Sequence, residues 1–153
     1  MNERSLEEYL AHPACIGAEC MGYNVRKTAR LLAKAYDDAL APCSLKSTQF
    51  SVLVGLHAKG PLGMKELADI LKMDRTTLTR NLKPLERRRL VRVQVGNDLR
   101  QRAITLTEEG VKLLADAIPL WRRVQRRLVS LLGEGEAAQL LSALHSLDKI
   151  AQG

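Results

Sequence analysis

The stretch MKELADILKMDRTTLTRNLKPLERR, residues 64–88, constrains the fold more than any other part of the chain. Leu67, Ala68 and Leu71 share one helical face over residues 64–72, and Leu78, Leu82 and Leu85 share another beyond Asp74. Only Lys72-Met73-Asp74 separates the two apolar sets, so the spacing predicts two short helices meeting at a tight turn. Asp74 is a good N-cap for the second, which the leucine spacing carries through Arg88. Pro84 removes a backbone donor inside that helix and predicts a kink.

The same reasoning places the other elements. Residues 1–16, with His12-Pro13, show little periodicity and read as a loose N-terminal arm. From Gly17 to Leu40 the positions Met21, Val25, Thr28, Leu32, Tyr36 and Ala39 recur at helical spacing. Ala41-Pro42-Cys43-Ser44 breaks this helix, and Ser47 is the expected N-cap of the next, with Phe50, Leu53, Val54 and His57 inward and Gly60-Pro61 as its stop. After residue 88, Val91, Val93 and Val95 alternate with Arg92 and Gln94, turn at Gly96-Asn97-Asp98 and return through Ala103–Leu106 as a hairpin. Thr107, followed by Glu108 and Glu109, opens a helix with Leu114, Ala117, Trp121, Val124, Leu128 and Leu131 at heptad-like spacing and a kink expected at Pro119. Gly133 and Gly135 precede a last helix with Ala137, Leu140, Leu141, Leu144 and Leu147 inward. Aromatics make up only 3% of the chain, so its core rests on Leu, Val, Ile and Ala, which suits helices.

The chain is therefore expected to be mainly α with a small β-hairpin wing. Residues 47–106 form its compact middle, and residues 17–46 and 107–151 form a helical region whose apolar stripes need a partner. Packing those helices together, and then against a second copy, is the simplest way to cover them.

Charge is concentrated in the middle. Of a net +7, six positive charges arise between Met64 and Arg102, where eleven Lys and Arg face five Asp and Glu. Such a module suits a phosphate backbone, although charge alone fits a solvated basic surface equally well. The helix–turn–helix pattern favours double-stranded DNA, because the first helix of such a pair braces a second that enters the major groove. The second presents Arg75, Thr76, Thr77, Thr79 and Arg80, types that meet base edges, with Lys83 and Arg87 placed further along for phosphate. For the threonines the structural alternative is helix-start chemistry. The hairpin tip brings Arg100 and Arg102, with Asp98 to orient them by a charged hydrogen bond, toward a minor groove; a solvated turn is the alternative.

The run from Ser47 to Gly110, with LADILKMDRTTLTRNLKPLERR, a D-x-R wing and ITLTEEG, resembles the MarR family of regulators. The resemblance implies a winged helix-turn-helix homodimer with interlocking N- and C-terminal dimerisation helices and recognition helices in successive major grooves of a pseudo-palindrome. It further implies a repressor released by a small, often aromatic or anionic, effector or by oxidation. Relatives commonly carry glycine where this chain has Arg89, so either the helix ends differently or Arg89 is held there by a contact.

The three cysteines argue against a disulfide framework, and a reducing cytoplasm is the expected compartment. The resemblance brings a redox reading of Cys20, with Cys15 and Cys43 as further thiols, while an inert buried thiol is the ordinary alternative. His12, Cys15 and Cys20 match no standard metal spacing, so no metal or other cofactor is expected. His57 is expected to be a core histidine, His145 to lie on the last helix and Trp121 to pack in the core. No phosphate loop, nucleophile elbow or paired carboxylate suggests an enzyme. A winged-helix adaptor without DNA would have neutral recognition and wing positions, and here they are basic. There is no apolar run long enough to span a membrane, and the polar, acidic opening predicts no secretory signal.

Overall fold

The computed structural model describes residues 5–95 and 102–152. It divides into a unit ending at Ala35 and a unit beginning at Tyr36.

The first unit holds α1 (Leu6–Ala11), α2 (Ala14–Glu19) and the start of α3 (Met21–Leu40). The expected loose arm is thus largely helical, and the helix predicted from Gly17 begins at Met21. The reason is local capping, which needs no apolar period. Ser5 Oγ accepts from the Glu8 amide at 3.2 Å, and Glu8 Oε2 accepts from the Ser5 amide at 2.8 Å. Asn24 Nδ2 then donates to the carbonyls of Gly17 at 2.8 Å and Cys20 at 3.0 Å, tying the end of α2 to α3.

The second unit continues from α3 through a 3-10 turn (Ala41–Cys43) to α4 (Ser47–Lys59), β1 (Leu62–Gly63), α5 (Met64–Leu71) and α6 (Arg75–Arg87). It ends with β2 (Val91–Val95), β3 (Arg102–Leu106), α7 (Glu108–Leu132), α8 (Glu134–Leu147) and a 3-10 turn (Asp148–Gln152). The two strands pair antiparallel as expected, with Val93 opposite Ile104, while the turn expected at Gly96-Asn97-Asp98 lies outside the described residues. A third strand joins it: β1 pairs antiparallel with β3, giving the order β1-β3-β2. α6 and α7 run unbroken across Pro84 and Pro119.

α4 lies at the centre, packed against α5, α6, α7 and β3. It buries Phe50, Val52, Leu53, Gly55 and Leu56, so its inward face is turned from the expected one; Val54 and His57 are exposed, and His57 is no core histidine. Val52, Leu53, Leu67, Leu78, Leu85 and Ile104 have essentially no exposed surface, and the Phe50 and Trp121 rings stack with centroids 6.2 Å apart. Lys46, not Ser47, is the N-cap of α4. The cap comes from elsewhere in the fold: Asp37 Oδ1 accepts from the Ser47 amide at 2.6 Å, and Lys46 Nζ lies 3.3 Å from Asp37 Oδ2. Gln125 Nε2 donates to Tyr36 Oη at 2.6 Å, fixing the last turns of α3 to α7.

The last helix departs from its sequence reading. Leu140, Leu141, Leu144 and Leu147 point away from the core of their own chain and are 39–56% exposed, with Leu131 at 79%. Among the described residues, no helix is long and apolar enough to cross a membrane.

Candidate nucleic-acid interface

α6 is held by its leucines and leaves its other face open. Leu78, Leu82 and Leu85 are buried, as is Asn81, while Arg75, Thr76, Arg80, Lys83 and Arg87 are exposed. Arg75, Thr76, Thr79, Arg80, Lys83, Pro84 and Arg87 line one open groove of about 590 Å³. Four cationic side chains therefore share a face with two threonines, and no ion pair neutralises these four among the described residues.

The helix start is built as expected at Asp74, which is the N-cap. Its Oδ1 accepts from the Thr77 amide at 2.8 Å and its Oδ2 from the Thr77 hydroxyl at 2.6 Å. These hydrogen bonds hold the Asp74 carboxyl below its ordinary value. They also remove Thr77 from the base-facing set: it is half-buried and its hydroxyl belongs to the cap. Thr79 is half-buried, and its hydroxyl donates to the Arg75 carbonyl at 2.7 Å, leaving its methyl and an oxygen lone pair for the groove. Thr76 is the fully outward threonine.

The turn before α6 places Lys72 at φ +50°. At the other end Arg89 does take the left-handed conformation, at φ +59°. The Arg89 amide donates to Glu86 O at 2.8 Å, the Leu90 amide to Leu85 O at 2.9 Å, and the Thr107 hydroxyl to Arg89 O at 2.8 Å. These bonds hold the arginine backbone where glycine is usual. Next to it, the Arg88 guanidinium donates to the carbonyls of Ser44 at 2.7 Å and Cys43 at 3.0 Å, so Arg88 braces the fold.

Asp98 and Arg100 lie outside the described residues, and of Arg102 only its place in β3 is described. Cys20 stands just ahead of α3, half-buried, and its sulfur accepts from the Tyr23 amide at 3.3 Å. Cys15 donates to the His12 carbonyl. Cys43 differs: it packs against the core, where burial, then the Asp116 charge, push its thiol up and disfavour the reactive thiolate, outweighing the opposite pull of Arg88. Among the described residues, no three His, Cys, Asp or Glu side chains cluster to hold a metal ion.

The profile of the MarR family matches residues 45–101, from the approach to α4 through α6 and β2. The Mycobacterium tuberculosis transcriptional regulator MosR, solved in complex with DNA, is 40% identical, over 88% of this chain and 97% of that one, with a TM-score of 0.79. The chain belongs to the MarR family. This MarR-family protein is also 37% identical, over 59% of its length, to YwoH, an uncharacterized HTH-type transcriptional regulator of Bacillus subtilis (strain 168), of which the match spans 66%, just under two thirds. It is similar to the transcriptional repressor CouR bound to p-coumaroyl-CoA, with 29% identity over 88% of this chain and 95% of that one and a TM-score of 0.80. CouR has also been solved on a 23-mer DNA duplex. The MarR-family protein has a winged helix-turn-helix fold, and the relatives to which it is similar are transcriptional regulators, MosR among them solved with DNA.

Proposed function

We propose that this regulator is a homodimeric, sequence-specific repressor that leaves its operator when a small ligand binds. The observation that carries the reading is the open cationic groove of α6. Arg75, Thr76, Thr79 and Arg80 occupy its leading half, where a recognition helix meets base edges, and Lys83 and Arg87 follow where phosphates run. Arg100 and Arg102, oriented by Asp98, serve as minor-groove contacts from the wing. Residues 47–106 are the DNA-binding domain, and residues 17–46 and 107–151 join two copies. The leucines of α8 and the end of α7, uncovered in a single chain, support the pairing. Relatives with DNA and with an acyl-CoA in their structures support the ligand-released repressor; a small aromatic or anionic effector fits that comparison.

The test compares a duplex that the wild-type protein selects from a randomised library with a scrambled duplex of equal length. Arg80→Ala weakens the selected duplex by about 1–3 kcal/mol relative to the scrambled one. Lys83→Ala weakens both alike and flattens the salt slope by about one unit. Equal losses on both duplexes for Arg80→Ala refute the base-reading role.

A second switch is favoured by the position of Cys20, whose sulfur caps the start of α3 in a pocket shared with Arg26 and Lys27. Oxidation there removes a cap and adds bulk at the head of that helix. Peroxide releasing the wild-type protein from DNA, but not Cys20→Ser, is the expected result; equal behaviour of the two refutes it.

A further inference from the structure

Among the described residues, Asn81 is the one polar side chain buried with the core, at 9% exposure. It sits on the inner face of α6 between Leu78 and Leu82, where an apolar residue would fill the space without needing partners. Both ends of its amide are engaged. Thr48 Oγ1, from the first turn of α4, donates to Asn81 Oδ1 at 2.6 Å, and Asn81 Nδ2 donates to the Thr77 carbonyl at 2.9 Å. Thr77 in turn is bonded through its amide and hydroxyl to Asp74. Thr48 is itself held in place, because Asp37 fixes the amide of the residue before it. Hydrogen bonds joined through the Ser47–Thr48 peptide thus link the end of α3, the start of α4 and the leading turn of α6.

We infer that Thr48 and Asn81 are positioning residues for sequence recognition, fixing the rotation of α6 about its own axis. Leucine contacts tolerate sliding, whereas a hydrogen bond weakens steeply once distance and angle depart from their narrow range. With side chains, a helix reaches about 5–6 Å from its axis, so a 20° turn moves the outer side chains by roughly 2 Å. Base contacts need placement within about 0.5 Å. Phosphate contacts made by long, mobile cationic side chains are far less demanding. Loss of the Thr48–Asn81 bond therefore acts on discrimination between sequences more than on affinity for DNA in general.

This inference rests on the base-reading role of α6, and the experiment separates the two. The selected and scrambled duplexes are titrated against wild type, Thr48→Val, Thr48→Ser, Asn81→Leu and Arg80→Ala, with a thermal melt of each protein. Thr48→Val is nearly isosteric but cannot donate; it binds the selected duplex about tenfold more weakly, with the scrambled duplex changed by less than about twofold. Thr48→Ser keeps the hydroxyl and the wild-type ratio. Asn81→Leu removes both the need and the bond, shows the same loss of ratio, and decides the matter if Thr48→Val does not fold. A wild-type ratio in Thr48→Val and Asn81→Leu, whatever their melting temperatures, overturns the positioning role. If Arg80→Ala also keeps the ratio, the base-reading role has failed and takes the positioning role with it; if Arg80→Ala lowers it, only the positioning role is lost.

Discussion

Replacing Gly110 by alanine sets two effects of opposite sign against each other. Gly110 is buried in the first turn of α7, and alanine is the better helix former by about 0.8–1.0 kcal/mol. Yet a Cβ built there lies 2.2 Å from the Leu90 carbonyl oxygen and 2.6 Å from Leu106 Cδ1. A carbon–oxygen contact needs about 3.3 Å, so a shift of roughly 1 Å is required. The Leu106 side chain can turn away, but the Leu90 carbonyl is fixed. It accepts from the Thr107 amide at 3.1 Å, while the Leu90 amide is bonded to Leu85 O at 2.9 Å. Overpacking costs about 1–3 kcal/mol, and backbone on both sides of the clash puts this site at or above the upper end. The expected net loss is about 2 kcal/mol, a fall in melting temperature of about 4–8 °C for a chain of this length. Urea and thermal unfolding at one protein concentration measure it, since the proposed pairing of two copies makes the midpoint concentration-dependent. A Gly110→Ala protein as stable as wild type would refute the close approach of α7 to the strand entry.

Two further outcomes test the proposed pairing of two copies and the polar line behind α6. Leu141→Glu, on the exposed row of α8, should leave a folded monomer by native mass spectrometry and weaken operator binding; a surviving dimer removes this face from the interface. The Asp37 carboxyl is held below its ordinary value: burial alone would raise it, but the bonds from Ser47 and the Lys46 charge outweigh burial. A lowered folded value means that this stabilisation is complete above the ordinary 3.8 and is lost as pH falls through the lower folded value. Asp37→Asn should therefore be less stable at neutral pH and lose less stability in acid, read as urea midpoints over the acid range. An unchanged acid limb would show that Asp37 carries none of it.

What was legible in the sequence is what depends on near neighbours along the chain. The leucines of α5 and α6, the caps at Asp74 and Thr107 and the alternation of the hairpin all report interactions within a few residues. What was illegible depends on contacts closed by the fold. The cap of α4 comes from Asp37, ten residues upstream, which makes Ser47 the capped residue rather than the cap that its type suggests. β1 has two residues, too few to alternate, and exists because Leu62 and Gly63 meet Ile104 and Ala103. In α4 the run Val52-Leu53-Val54-Gly55-Leu56 is apolar nearly all round, so periodicity could not choose the face, and four neighbouring elements chose it.

The three threonines of α6 carry the same lesson into the site. By residue type they are equivalent candidates for base contact. Position along the helix separates them: Thr76 points outward, Thr79 bonds back one turn, and Thr77 stands three residues after the cap, where a side chain naturally returns to it. That signal was present in the spacing Asp74-x-x-Thr77. Its meaning for function emerges only with Asn81, because the Thr77 carbonyl is also where the buried amide attaches. One residue thus serves both the start of the helix and its rotation, and neither service touches DNA. On the proposed base-reading role, α6 is specified as much by its inward polar groups as by its outward cations. Sequence discrimination should therefore be sensitive to substitutions at positions 48, 77 and 81 that leave every exposed residue of the groove unchanged.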